Sequence, residues 1–327
     1  MSKLVTIYGG SGFVGRYIAR RMAKAGWRIR VAVRRPNEAI FVKPYGVVGQ
    51  VEPVFCNIRD DASVADVMLG ADAVVNCVGI LAPLGKNTFD AIQAEGAERI
   101  ARIAAQQGVK KLVYVSAIGA DAGSDSDYSR TKAEGEAGIL AHVPEAVILR
   151  PSIVFGPEDE FFNRFASMSR LGPLLPVVGA STKFQPVYVD DVAKAAELAL
   201  TTDDVAPAIY ELGGPEIKTF RALMEQMLEV IRRKRGVVNI PFWAANLMGF
   251  GFDLANTLSL GLIPAQITQD QVRNLRNDNV VGETAKGFAD LGIKPVSMDA
   301  VLPEYLWRFR PSGQYDAIKE SAENLRS

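Results

Sequence analysis

The sequence predicts a doubly wound, mostly parallel α/β sheet with a smaller, mainly helical C-terminal lobe. Short apolar runs alternate with helical patterns through the first 150 residues, a glycine cluster follows the first run directly, and the rhythm changes after Leu149. Candidate strands are Leu4–Tyr8, Arg28–Val33, Glu52–Phe55, Ala73–Cys77, Leu112–Val115 and Ala146–Leu149. Helical patterns lie between them, around Val14–Lys24, Ala62–Met68, Phe89–Gln106 and Ser129–Ala141. Strands that alternate with helices require right-handed parallel crossovers, which place helices on both faces of one sheet.

After Leu149 a proline-bounded stretch, "RPSIVFGPEDEFFNRF", interrupts the pattern. "FQPVYVDDVAKAAELAL" then reads as a strand running into a helix, and "AIYELGGP" as a further strand, both expected to return in part to the sheet. Residues 1–150 with 184–213 are therefore expected to form the sheet domain. Residues 151–183 with 214–327 are expected to form a lobe over the carboxyl ends of the strands, where such sheets bind ligands. The polar tail after Pro311 is expected to be poorly ordered.

Composition excludes several classes. Lys plus Arg and Asp plus Glu both number 37, so no net field draws the chain to nucleic acid. Two cysteines, Cys56 and Cys77, argue against a disulfide framework and suit a reducing compartment. The single histidine, His142, stands between a helix and a strand as an ordinary surface residue, and no cluster has metal-ligand spacing. "MSKLVTIYGG" runs straight into a strand, which predicts a cytoplasmic start of bacterial style without signal or transit peptide.

The glycine cluster is the first chemical signal. In "GGSGFVG", Gly9, Gly12 and Gly15 fit G-x-x-G-x-x-G, and Gly10, Gly12 and Gly15 fit G-x-G-x-x-G. Between a strand and an amphipathic helix, this pattern predicts a Rossmann-type pyrophosphate cradle formed by Gly9, Gly10, Ser11, Gly12, Phe13 and Val14. The second strand ends in Arg34 and Arg35 rather than an acidic residue. Guanidinium groups there suit the 2′-phosphate of NADPH, whereas NADH would call for a carboxylate. Asn57 and Ile58 after the third strand are expected to flank adenine. Cys77, Val78 and Gly79 after the fourth are expected to line the central part of the cofactor.

Ser116 ends the fifth strand, and Tyr128 and Lys132 lie four apart on the following helix, hence on one face. A neighbouring ammonium would bring a tyrosine down from about 10, and a serine hydroxyl would orient a substrate oxygen. These three are candidate catalytic residues and candidate ligands of the nicotinamide ribose, which need not involve turnover.

Further on, "IRRKRG" places Arg232, Arg233, Lys234 and Arg235 before an apolar stretch, Val237–Ile267, whose only charge is Asp253. Three glycines and two prolines within it argue against a spanning helix. A basic lead into Trp, Phe and Leu suits a membrane interface or a partner groove, while burial against the chain's own core is the alternative.

Together these pieces resemble the short-chain dehydrogenase/reductase superfamily in its extended or atypical branch. That resemblance assigns Ser116, Tyr128 and Lys132 to its catalytic triad and sets Pro151 and Ser152 beside the nicotinamide carboxamide. In the second half, "FGPEDEFFNRFASMSRLGPLLPVVG", "FQPVYVDDVAKA", "ITQDQVRNLRNDNVV" and "FADLGIKPVSMDAVLPEYL" resemble the nucleotide-binding accessory subunit of respiratory complex I, alpha-subcomplex subunit nine. The resemblance implies tightly held NADPH and attachment at the junction of the peripheral and membrane arms, on the cytoplasmic face of a bacterial inner membrane. It implies no known reaction. A free NADPH-dependent reductase or epimerase, and an NADP(H) redox-sensing regulator, are the competing expectations.

Overall fold

The computed structural model describes residues 2–247, 268–313 and 315. The nucleotide half is laid down as β1 (Leu4–Tyr8), α1 (Phe13–Lys24), β2 (Arg28–Val33), β3 (Val51–Phe55), α2 (Asp61–Met68), β4 (Ala73–Asn76), α3 (Glu95–Gln106), β5 (Lys111–Val115), α4 (Asp127–His142) and β6 (Val147–Pro151). The chain continues as β7 (Val154–Phe155), α5 (Phe162–Met168), β8 (Leu174–Val178), β9 (Lys183–Phe184), β10 (Val187–Tyr188), α6 (Val189–Thr201) and β11 (Ile209–Leu212). It closes with β12 (Lys218–Thr219), α7 (Phe220–Val230), β13 (Gly236–Ile240), α8 (Gln269–Asn274) and α9 (Met298–Leu306).

Seven parallel strands form the main sheet in the order β11-β6-β5-β4-β1-β2-β3. β1 lies in its interior, and all five of its residues are buried, as a strand covered on both faces requires. Its polar members are satisfied locally. Thr6 Oγ1 donates to the Val67 carbonyl at 2.8 Å and Tyr8 OH to that of Val64 at 2.8 Å. One apolar layer joins the sheet to α1 and α6, and a second joins its other face to α2, α3 and α4. Chain order reverses between β1 and β4, so a crevice opens beyond their carboxyl ends.

Two features depart from the sequence pattern. Between β2 and β3 the chain forms a 3-10 helix, Pro36–Tyr45, with prolines at both ends and only Ala39 and Val42 buried. The helix expected over Phe89–Gln106 starts with a π-helical turn, Asp90–Ala94. Of the returning pieces, β11 extends the main sheet and α6 packs on α1, whereas β10 pairs with β7 outside it.

The smaller lobe packs α5, α7 and α9 around Phe155, Phe162, Phe184 and Phe220. Asp159 fastens it: its carboxylate accepts from the Gly156 and Asn163 amides and from Tyr305 OH on α9. The expected apolar segment is described only as far as Leu247, where Trp243 and Leu247 are exposed. Residues 248–267, and the tail beyond Tyr315, lie outside the described residues.

Candidate nucleotide-binding site

The glycine bend forms at the switch point because its backbone packs too closely for side chains. Gly9 adopts φ +73°, and its amide donates to the Ala32 carbonyl of β2 at 3.0 Å. A Cβ on Gly9 would lie 3.2 Å from the Cys77 backbone, so the bend abuts the end of β4. On Gly15 a Cβ would stand 2.4 Å from the Gly9 carbonyl oxygen and 2.8 Å from the Gly10 Cα. Gly12 is the N-cap of α1, which has no side-chain cap and no acidic residue in its first turn. Amides and a positive dipole end there are available to an anion. Ser11, Phe13 and Val14 are half-buried at the same bend, and the Phe13 ring also approaches Gly156 of the smaller lobe.

Around this bend the structure gathers the other residues expected from the sequence. Arg34 and Arg35 are exposed at the end of β2, where Arg35 pairs with Glu38 at 3.1 Å. Among the described residues Arg34 has no ion-pair partner. Asn57 is half-buried after β3, and its Oδ1 accepts from the Arg59 amide at 3.2 Å. Ile58 is buried beneath it, against Gly96. Cys77 and Val78 are half-buried, and burial pushes the Cys77 thiol up to about 12, against the Lys132 charge. Gly79 is exposed, and a Cβ there would meet Lys132 Nζ at 3.5 Å.

Lys132 is buried at 4 % exposure, with Nζ donating to the Val115 carbonyl at 3.0 Å and lying 5.0 Å from the centre of the Tyr114 ring. Burial lowers it from 10.5 to about 8, with the Glu136 and Cys77 charges opposing. The folded state thus holds fewer protons than the unfolded chain between these two values, and stability rises with pH across that window. Lys132→Met should therefore be the more stable protein near pH 7 without nucleotide, by at most about 3 kcal/mol. Urea midpoints measured from pH 7 upward should converge as pH approaches 10.5. A gap independent of pH would refute this origin.

Tyr128 and Ser116 lie in different surroundings. Tyr128 is half-buried with its ring edge-on to Phe89. Burial, and secondarily the Asp270 charge, push it up to about 12, the reverse of the lowering expected from Lys132. The Ser116 hydroxyl donates to Glu136, whose carboxylate binds Arg150 through two hydrogen bonds, Nε to Oε1 at 2.9 Å and Nη2 to Oε2 at 2.5 Å. Ser116 thus joins a buried network with Glu136 and Arg150. Pro151 closes β6, and the Ser152 hydroxyl donates to Asn279, at 2.9 Å to its carbonyl and 2.7 Å to its side-chain oxygen.

Sequence reasoning missed Gln93. It occupies the π-helical turn at 0 % exposure, and neither of its side-chain polar atoms has a partner. Its Oε1 would lie 3.9 Å from a Cβ on Gly79, the same point that Lys132 Nζ approaches. The Tyr114 hydroxyl is likewise buried without a partner. Such unpaired groups cost roughly 1–3 kcal/mol each, which a ligand hydroxyl or a water would offset.

A dinucleotide fits these residues. Added Cβ atoms at Gly9, Gly10 and Gly12 would crowd the bend, Gly79 carries no side chain, and Gln93 Oε1 and Lys132 Nζ lie within 4 Å of where its Cβ would stand. When bound, a nicotinamide ring supplies hydride donor or acceptor chemistry.

Comparison with known proteins agrees with this geometry. Residues 5–213 match the model of the NAD dependent epimerase/dehydratase family. The chain is 34% identical to the mitochondrial NADH dehydrogenase (ubiquinone) 1 alpha subcomplex subunit 9 of Arabidopsis thaliana, over 95% of this chain and 79% of that protein. It is 31% identical to the mitochondrial NADH-ubiquinone oxidoreductase 40 kDa subunit of Neurospora crassa, over 95% of this chain and 80% of that protein. The fold matches the crystal structure of DesIV, a dTDP-glucose 4,6-dehydratase from Streptomyces venezuelae with NAD and TYD bound (TM-score 0.71, 19% identity, 95% of this chain and 98% of that one). The chain belongs to the NAD dependent epimerase/dehydratase family and, within it, to the family of alpha subcomplex subunit 9 of NADH dehydrogenase.

Proposed function

We propose that this chain is an NADPH-binding accessory subunit of respiratory complex I, the NADH:ubiquinone oxidoreductase, in which the nucleotide is a structural element. The observation that carries the reading is similarity along 95% of the chain to two relatives named as subunits of that enzyme. The hydrogen bond from the Ser116 hydroxyl to Glu136 supports a structural role over turnover.

Gly9, Gly10, Ser11, Gly12, Phe13 and Val14 hold the pyrophosphate in this reading, and Arg34 and Arg35 the 2′-phosphate. Asn57 and Ile58 flank adenine, while Cys77, Val78 and Gly79 line the centre of the site. Tyr128 and Lys132, with Gln93 beneath, take the nicotinamide ribose, and Ser116, Pro151 and Ser152 border the ring. Binding only to the folded state stabilises it by mass action.

Docking runs through about Arg232–Ile267, at the junction of the peripheral and membrane arms and peripherally to the membrane. Trp243 and Leu247 are exposed, and Arg233 and Arg235 donate to the Phe309 and Ser169 carbonyls. Among the described residues no helix is long and apolar enough to cross a membrane. Affinity purification of the tagged protein from native membranes, with subunit identification, is the test. Co-purification of NADH dehydrogenase subunits is expected, whereas recovery as an isolated soluble protein overturns the proposal.

A second reading, an NADPH-dependent reductase, is favoured by Tyr128 and Lys132 sharing one helix face with Lys132 lowered to about 8. It requires NADPH consumption with some carbonyl compound, lost in Tyr128→Phe while nucleotide affinity is kept.

A further inference from the structure

Helix α4 carries both Tyr128 and Lys132, and its N-terminus is closed by a residue from the far end of the chain. Its third amide, Ser129, is met at 3.4 Å by its own cap, Ser126 Oγ. The first two are met by Asp270 of α8. The Asp127 amide donates to Oδ1 at 2.7 Å and the Tyr128 amide to Oδ2 at 3.3 Å. Ser126 Oγ donates to the same Oδ2 at 3.0 Å. A carboxylate at a helix N-terminus satisfies unpaired donors and opposes the positive dipole end.

The rest of α8 reinforces this hold. Ser129 Oγ donates to Asn274 Oδ1 at 2.9 Å, and an Arg273 guanidinium N–H donates to the Asp125 carbonyl at 3.1 Å. Gln271 Nε2 reaches the Leu81 carbonyl at 3.4 Å, on the loop that follows Gly79. The short helix thus touches both walls of the nicotinamide half of the crevice. It is itself anchored, by a Thr268–Gln271 capping box and by Val272, which is buried with Val178 and Ala245. The contacts described for α8 do not include the glycine bend or Arg34.

We propose that Asp270 is the positioning residue through which the C-terminal lobe holds α4 in register for the nicotinamide ribose. This rests on the nucleotide reading given above.

The test titrates NADPH and 2′-phosphoadenosine 5′-diphosphate, which lacks the nicotinamide riboside, into wild type, Asp270→Ala and Asp270→Asn. Asp270→Ala should weaken NADPH roughly 5- to 20-fold, the size of a lost cap, and leave 2′-phosphoadenosine 5′-diphosphate within about 2-fold. Asp270→Asn, which retains an acceptor, should recover part of the NADPH affinity. The proposal is overturned if Asp270→Ala binds NADPH like wild type, or if both ligands weaken equally. Binding of neither ligand by wild type would instead remove the nucleotide reading itself, before any variant is considered.

Discussion

Gly15→Ala is expected to abolish nucleotide binding, raising the NADPH dissociation constant more than about 100-fold, beyond what one lost phosphate contact would do. The new methyl would sit 2.4 Å from the Gly9 carbonyl oxygen and 2.8 Å from the Gly10 Cα, both main-chain atoms that no rotamer change can move. Relief requires α1 to slide off the bend, which carries the helix amides away from the anion. Overpacking of this kind also costs about 1–3 kcal/mol of stability. The matched control is Gly26→Ala, where φ is +84° but nothing lies within 4 Å of the added Cβ. It should lose about 1 kcal/mol through backbone strain alone and bind NADPH normally. Calorimetric titration and thermal melts of the two variants separate cradle from fold. Wild-type affinity in Gly15→Ala would show that the bend does not hold the nucleotide.

The second large effect concerns which nucleotide is held. Replacing both Arg34 and Arg35 with alanine should weaken NADPH about 10- to 100-fold, the loss of one or two charge-assisted contacts, and NADH no more than about 3-fold. The two positions should not contribute equally. Arg35 already spends part of its charge on Glu38 at 3.1 Å, so Arg34→Ala should account for most of the loss. Both side chains are exposed, and the difference should shrink as salt rises. Equal weakening of the two nucleotides would mean that these arginines are merely a solvated turn.

Much of this site was legible because its signals are local. Leu4–Tyr8 is apolar on both faces, the glycines follow it at once, and the paired arginines end the next strand, so each could be placed without knowing the fold. Lys132 was also legible, by its spacing from Tyr128, but its field was not. Desolvation depends on what packs around a side chain, and here it acts on Tyr128 in the direction opposite to the one expected. Gln93 left a faint trace as a polar residue on the apolar stripe of Ile92, Ala97 and Ile100, which a continuous-helix reading passes over. Asp270 left none. It meets the α4 amides across more than 140 positions, a contact that no spacing rule encodes. The 3-10 segment after β2 escaped for a different reason: its prolines and sparse burial give neither a helical nor a strand period.

Releasing the nucleotide from protein purified without any added cofactor, then identifying it by mass and counting it per chain, addresses the account at its root. NADPH or NADP⁺ at close to one per chain, or full uptake of added NADPH by an empty fraction, is the predicted result. A folded protein that carries no dinucleotide and takes none up contradicts it.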